Sequence, residues 1–209
     1  MSSTTPTVFL VDDDDATLRS LARLLLAAGH RVVPHPSARA FLSELERETP
    51  GCVVTDLCMP DLDGLALQRE LERLGNPLPV IFLTGQGDIP TTVQAMRRGA
   101  EDYLEKTAPK DLLLDAIRRA LERDAGQRAE RSRQEGARRA LDLLSPRERE
   151  VLGHVLEGKL NKQIAADLHI HERTVKLHRT TLRRKLGVHS VAELARLLHR
   201  AGSGSCVVP

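Results

Sequence analysis

Five polar side chains close four apolar runs of this sequence, and their types suit one another. Asp12 and Asp13 follow TVFLV, Asp56 closes CVVTD, Thr84 closes VIFLT, and Lys106 closes DYLEK. Three carboxylates brought into one crevice repel one another unless a cation lies among them. Oxygen ligands with positions left to water suit Mg²⁺, which binds through a few carboxylates plus a phosphate. A hydroxyl and an ammonium beside such a centre can hold the oxygens of a transferred phosphoryl group, whose charge is spread over its equatorial oxygens. The chemistry implied is phosphoryl transfer at a carboxylate. Asp14 and Asp15 need no such role, because aspartate is favoured at a helix N-cap and in the first turn.

A sheet must bring these groups together. Apolar, β-branched runs at Val8–Val11, Arg31–Val33, Cys52–Thr55, Val80–Leu83 and Tyr103–Leu104 alternate with segments of 3.6-residue periodicity at Ala16–Ala28, Ser37–Glu46, Leu65–Leu74, Ile89–Arg98 and Lys110–Arg123. Such alternation predicts an α/β fold, a doubly wound five-stranded parallel sheet with right-handed crossovers. In open sheets of this kind ligands bind beyond the carboxyl ends of the strands, where the strand order reverses. In the flavodoxin-like order that point lies between the first and third strands, where Asp12, Asp13 and Asp56 stand.

Composition narrows the function classes. With 209 residues, 41% of them hydrophobic, the chain can bury a core and suits one or two domains. No run approaches the roughly 20 apolar residues of a membrane span, and MSSTTPT lacks the features of a secretory signal, so a cytoplasmic protein without a membrane partner is expected. Cys52, Cys58 and Cys206 lack metal-ligand spacing and read as reduced thiols. The net charge of +2 hides a split: residues 1–120 carry 13 Lys/Arg and 18 Asp/Glu, a net −5, whereas residues 121–209 carry 18 and 11, a net +7. An acidic half suits a cation, and a basic half suits nucleic acid.

The basic half has no strand signal. In LSPREREVLGHVLEG, Ser145, Pro146 and Glu148 form a capping box with proline at the first helical position. Asn161–Leu168 and Glu172–Leu186 read as two further helices joined by the tight turn HIHE, and Ser190 with Glu193 caps a fourth, VAELARLLHRA. Lys176, Arg179, Thr180 and Arg183 share one face at i, i+3, i+4 and i+7, with Arg184 beside them, while Val175, Leu182 and Leu186 fall toward the core. A lone basic helix is more often a solvated face. Here the preceding helix and turn supply helix-turn-helix geometry, in which the second helix enters the major groove of double-stranded DNA.

Residues 6 to about 123 resemble the receiver domain of bacterial two-component response regulators, through VDDD, VVTDLCMPDLDG, LTGQGD and GAEDYLEK. That resemblance implies that Asp56 accepts a phosphoryl group from a sensor histidine kinase. It also implies that Asp13, Asp56 and the backbone carbonyl of Cys58 bind Mg²⁺, with Asp12 helping through water. Thr84 and Lys106 would engage the phosphoryl oxygens, and Tyr103 would occupy the aromatic switch position that moves with Thr84. Residues 143–200 resemble the LuxR-type helix-turn-helix of the same FixJ/NarL class, through LSPREREVL, EGKLNKQIAADL and RTVKLHRTTLRRKLGVHSVAEL. The implied recognition helix is Thr174–Arg184, with Lys176, Leu177 and Thr180 at base edges and Asn161, Lys162, Thr174, Arg184 and Lys185 at phosphates. Phosphate contacts carry affinity and salt dependence, base contacts specificity. Val188, His189, Ser190 and the last helix would form a dimer surface. LTGQGDIPTTVQAMRRGAEDYLEK makes the FixJ-like branch the nearest in kind.

The expected layout is a receiver over residues 1–123, a linker over 124–142 that is either helical or a tether beginning near Gly126, a DNA-binding domain over 143–201 and a disordered tail over 202–209. The expected function is a phosphorylation-switched transcription factor, not an enzyme, with a homodimer forming on phosphorylation and RNA polymerase as a candidate partner. Two departures from the family pattern stand out. Thr107 follows Lys106 where proline is usual, and a cis bond before threonine would cost about 2.5–4 kcal/mol. His171 stands where Ser or Thr usually caps the recognition helix. Thr107 leaves room for a phosphorylation-independent regulator. A phosphotransferase or phosphatase resembling the haloacid dehalogenase enzymes would want an acid/base Asp at the position of Cys58.

Overall fold

A computed structural model of the chain describes residues 5–46, 49–76, 78–85, 93 and 95–202. It divides into two compact units, residues 1–127 and 128–209. In the first, β1 (Thr7–Val11), β2 (Arg31–His35), β3 (Gly51–Asp56), β4 (Val80–Thr84) and β5 (Asp102–Glu105) form one parallel sheet in the order β2-β1-β3-β4-β5. This is the expected doubly wound α/β sheet, and each strand extends a residue or two beyond its apolar run.

The residue alternation of the strands accounts for two buried faces. Phe9, Val11, Val53, Val80 and Phe82 pack into one layer with Phe41 of α2 (Ala38–Glu44) and Leu67 and Leu71 of α3 (Gly64–Arg73). Val8, Leu10, Cys52, Val54, Ile81 and Leu83 pack into the other, against Leu18 and Leu25 of α1 (Asp15–Ala27) and Leu113, Ala116, Ile117 and Ala120 of α4 (Lys110–Asp142). A parallel strand covered on both faces therefore reads as a continuous apolar run rather than an alternating one. The helix expected over Ile89–Arg98 falls largely outside the described residues, although Val93 and residues 95–97 are helical.

Asp14 caps α1, accepting from the amides of Ala16 at 2.9 Å and Thr17 at 3.3 Å, and Asp15 lies in its first turn. Ser37 and Asp63 cap α2 and α3 in the same way. Gly51 opens the phosphoacceptor-candidate strand β3 where no side chain fits: an added Cβ would lie 1.9 Å from the carbonyl oxygen of Thr7. Its amide donates to the buried carboxylate of Asp124 on α4 at 2.9 Å. Burial, with Asp124 and Glu101 adding to it, pushes the thiol of neighbouring Cys52 up to about 12, which leaves it unreactive.

Helix α4 runs unbroken through Gly126 and Gly136 to Asp142. Each interior glycine costs about 1 kcal/mol relative to alanine. Side-chain pairs one turn apart offset part of that, including Arg118–Glu122, Arg133–Glu130 and Arg139–Glu135.

The second unit adds α5 (Pro146–Leu156), α6 (Asn161–Asp167), α7 (Glu172–Leu186) and α8 (Val191–Arg200). Their apolar faces meet in one core of Leu144, Val151, Leu152, Val155, Ile164, Val175, Leu182, Leu186, Val188, Leu194 and Leu198. The capping box of α5 is complete: the Glu148 amide donates to Ser145 Oγ at 3.2 Å, and the Ser145 amide donates to Glu148 Oε2 at 2.8 Å. His171 precedes α7 without a side-chain capping bond, and Gly187 closes that helix in the left-handed conformation at φ 62°.

His35, at the end of β2, is a buried titratable group packed between the rings of Phe9 and Phe41, with Glu44 Oε2 3.6 Å from its Nδ1 and no partner for Nε2 among the described residues. Burial pulls its pKa below the ordinary value, with Glu44 opposing more weakly. The unfolded chain therefore binds this proton more readily than the native one, so stability present above about pH 6.5 is lost as pH falls below it. Urea titrations of the α/β unit should show that loss over the acid side of neutrality, and His35→Phe should make it shallower.

Candidate functional site

The register of the sheet builds the acidic crevice. Val11 pairs with Thr55, so the next residues, Asp12 and Asp56, leave adjacent strands at the same level. Asp56 pairs with Leu83, next to Thr84, and Thr84 pairs with Glu105, next to Lys106. The central strands end together, at the reversal of strand order where α/β sheets bind ligands.

Lys106 reaches back across this edge. Its Nζ lies 2.7 Å from Asp12 Oδ2 and 3.1 Å from Asp56 Oδ2. Burial of the ammonium works against its charge, but hydrogen bonds and charge attraction from Asp12 and Asp56 outweigh it and hold the pKa above the ordinary lysine value. The remaining carboxylate oxygens are tied locally, Asp12 Oδ1 to the Asp14 amide at 2.9 Å and Asp56 Oδ1 to the Leu57 amide at 2.8 Å. Asp12 and Asp56 are buried and Asp13 is exposed, yet each offers an oxygen, all within 4.8 Å of one another. Two buried carboxylates and a third open to solvent form a donor set of hard oxygens that fits a divalent cation such as Mg²⁺, with one ammonium beside it.

The remaining expected residues surround this cluster. Thr84 is buried at the end of β4, and its carbonyl accepts the Lys106 amide at 2.7 Å. Cys58, two residues beyond Asp56, has an exposed thiol. Tyr103 is half-buried with its ring 6.3 Å from that of Phe82, and its buried hydroxyl has no hydrogen-bond partner among the described residues. The Thr107 hydroxyl reaches Glu105 Oε2 at 3.3 Å, and no peptide bond among the described residues is cis.

The basic half divides into two populations. Lys176, Arg179, Thr180 and Arg183 line one groove with Leu160 and Asn161, as their spacing on α7 requires. Leu177 projects from the same helix, 65% exposed. Among the described residues Lys162, Lys176, Arg183 and Arg184 form no ion pair, and all four are exposed. Thr174 is half-buried near the start of the helix. Arg179 donates to Asn161 Oδ1 at 3.0 Å, which links α6 to α7, and the Thr180 hydroxyl donates to the Lys176 carbonyl at 3.0 Å.

The second population is engaged inside the unit. Lys185 Nζ lies 2.7 Å from Glu148 Oε2 and donates to the Leu143 carbonyl at 3.0 Å, so it does not join the exposed row. Arg147 donates to the Leu168 carbonyl at 2.6 Å, closing the end of α6 before the turn. Sequence reasoning left Arg147 without a role and took Glu148 only as a cap. A charge count cannot tell a side chain that closes a helix end from one that faces solvent.

The model of the response regulator receiver domain matches residues 8–118, and that of the bacterial regulatory proteins of the luxR family matches residues 142–198. The response regulator protein TodT of Pseudomonas putida is 40% identical over 200 residues, covering 96% of this chain and 88% of that protein. The transcriptional regulatory protein FixJ of Rhizobium meliloti is 40% identical over 198 residues, covering 95% and 97%. The low-resolution structure of the response regulator StyR superposes with a TM-score of 0.87 at 40% identity, covering 96% of this chain and all of that one.

Gly64, which begins α3, lies against the strand end that carries Asp56. A Cβ there would fall 2.5 Å from the Asp56 carbonyl oxygen and 3.0 Å from the Phe82 ring. Gly64→Ala should therefore shift the end of β3 and destabilise the α/β unit by about 1–3 kcal/mol in urea titrations.

Proposed function

Because the chain belongs to the two-component response regulators that join a receiver domain to a LuxR-type DNA-binding domain, a class of transcription factors, we propose that Asp56 is its phosphoacceptor and that phosphorylation there controls DNA binding. The observation that carries this reading is the contact of one ammonium, Lys106, with both Asp12 and Asp56 beside the third carboxylate of Asp13.

An oxygen of Asp56 attacks the phosphorus of a phosphohistidine on a sensor kinase. The new P–O bond forms as the P–N bond breaks, and the imidazole leaves. Lys106 neutralises Asp56 before the transfer and turns to a phosphoryl oxygen after it, and the Thr84 hydroxyl holds another. Asp13 and Asp56 with the Cys58 backbone carbonyl would hold Mg²⁺, Asp12 helping through water, and the ion when bound would supply positive charge for the phosphoryl oxygens. Tyr103 follows Thr84 as the switch residue, and its buried hydroxyl, without a partner among the described residues, supports a side chain that gains from moving. Phosphorylation shifts an equilibrium between conformers, and it does so only to the extent that the phosphorylated site favours one of them.

At the DNA, Lys176, Leu177 and Thr180 read base edges, Arg179 and Arg183 flank them, and Asn161, Lys162, Thr174 and Arg184 contact phosphates. The exposed cations Lys176, Arg183 and Arg184, outside any ion pair among the described residues, and the groove that Lys176, Arg179 and Arg183 line support this assignment. Val188, His189, Ser190 and α8 form the surface on which two copies pair, placing two recognition helices on paired half-sites. The protein works in the cytoplasm, with RNA polymerase the partner through which transcription is set.

Intact-mass spectrometry after incubation with acetyl phosphate tests the central step. The wild type should gain one phosphoryl group when Mg²⁺ is present and Asp56→Asn none, with a shift toward dimer in size-exclusion chromatography for the wild type alone. A wild type that gains no phosphoryl group from acetyl phosphate or from a phosphorylated kinase would overturn the reading.

A further inference from the structure

We infer that Lys185 is a positioning residue of the DNA-binding unit, a clamp that fixes the recognition helix to the start of the domain, and not a ligand of DNA phosphate. The inference rests on the reading of α7 as the recognition helix.

One ammonium here meets three helix ends. Lys185 lies in the last turn of α7. Its Nζ donates to the carbonyl of Leu143, the residue after the end of α4, where the unsatisfied carbonyls of a helix carry partial negative charge. The same Nζ lies 2.7 Å from Oε2 of Glu148, the third residue of α5, and that oxygen also accepts the amide of Ser145 at 2.8 Å. The ends of α4, α5 and α7 are thus joined through one lysine and one glutamate.

Burial separates this lysine from its neighbours. The Glu148 side chain is 8% exposed, and its counter-ion in the structure is Lys185. Swinging the ammonium out to a phosphate would leave a buried carboxylate without compensation, which costs far more than an exposed phosphate contact returns. Arg184, the adjacent residue, is exposed and free of ion pairs among the described residues. The hydrogen bond from Lys185, followed by the Ser145 amide, holds Glu148 below the ordinary carboxylate range, in keeping with a carboxylate that stays ionised.

The two roles differ in what they do to salt dependence. Each phosphate neutralised by a side chain contributes about 0.9 to the slope of log K against log salt, whereas a clamp contributes nothing to it. Glu148 makes the distinction sharper, since an acidic residue cannot be a phosphate ligand, and its removal disturbs the clamp and the α5 cap without removing any phosphate contact.

The test uses the full chain with a random-sequence DNA duplex over a range of salt, together with amide hydrogen exchange of the free protein at residues 143–149. Lys185→Met and Glu148→Gln should each weaken binding about threefold to tenfold with the slope unchanged, and each should speed exchange at the Ser145 amide about tenfold. Lys185→Arg should restore most of both. Arg184→Met, as the control, should lower the slope by about one. A fall of about one in the slope for Lys185→Met, or exchange at Ser145 unchanged in both clamp variants, would overturn the inference. A wild type that binds no duplex at any salt would defeat the DNA reading instead, and with it the positioning role. Should Lys185→Met not fold, Glu148→Gln and Lys185→Arg decide by the same two readouts.

Discussion

The contact of the Lys106 ammonium with Asp12 and Asp56 is the constraint around which the α/β unit is arranged. Two buried carboxylates side by side at the ends of β1 and β3 would each be costly to keep ionised in a crevice that removes most of their water. They are held there by a cation delivered from β5, two strands away from β3, so the sheet must be complete and in register to its edge before the crevice is electrically tolerable. The backbone amides of Asp14 and Leu57 supply the remaining compensation. A lysine suits this post because it is a mobile point charge on a flexible stem, able to move from a carboxylate to an incoming anion without rebuilding its surroundings.

The second unit uses the same physics differently. Several of its basic side chains close helix ends: Arg138 donates to the Ala201 carbonyl after α8, Arg147 to Leu168 after α6, Arg149 to Leu144 after α4 and Lys185 to Leu143. Short helices leave a large share of their carbonyls unsatisfied, and cations at those ends both hydrogen-bond them and meet the favourable end of the helix dipole. The surplus of positive charge in this half is therefore partly structural. Among the described residues, the exposed side of α7 and Lys162 carry cations outside any ion pair that remain available to an anionic partner.

What could be read from the sequence follows from how local each feature is. Strand and helix positions were legible because burial on both faces imposes long apolar runs on β1, β3 and β4, and because Asp14, Ser37, Ser145 and Ser190 cap their helices through bonds only two or three residues long. The convergence of Asp12, Asp13 and Asp56 was legible because the strand order of a doubly wound sheet dictates which ends meet. Features that depend on long-range pairing were not. Asp124 supporting Gly51 and Lys185 compensating Glu148 join residues 73 and 37 positions apart, and neither pair carries a local signal. The row of cations on α7 was correctly periodic, but Arg179 turns to Asn161, a choice made by the packing of α6 rather than by spacing.

The switch proposed at Tyr103 meets an energetic requirement that the structure bears on directly. Reversing a two-state equilibrium from about 1:99 to 99:1 takes about 5.5 kcal/mol of differential interaction. The phosphoryl group can supply much of this through charge-assisted bonds to Lys106 and Thr84. The rest is easier to find if the starting conformer is already under local stress. The Tyr103 hydroxyl is buried with no partner among the described residues, and a buried group left unpaired costs about 1–3 kcal/mol. Its ring nevertheless packs on Phe82 in the core layer beneath the acidic crevice, which holds it in place. A side chain retained by its ring and penalised at its hydroxyl has less to lose by moving, so the switch proposed here asks correspondingly less of the phosphoryl group at Asp56.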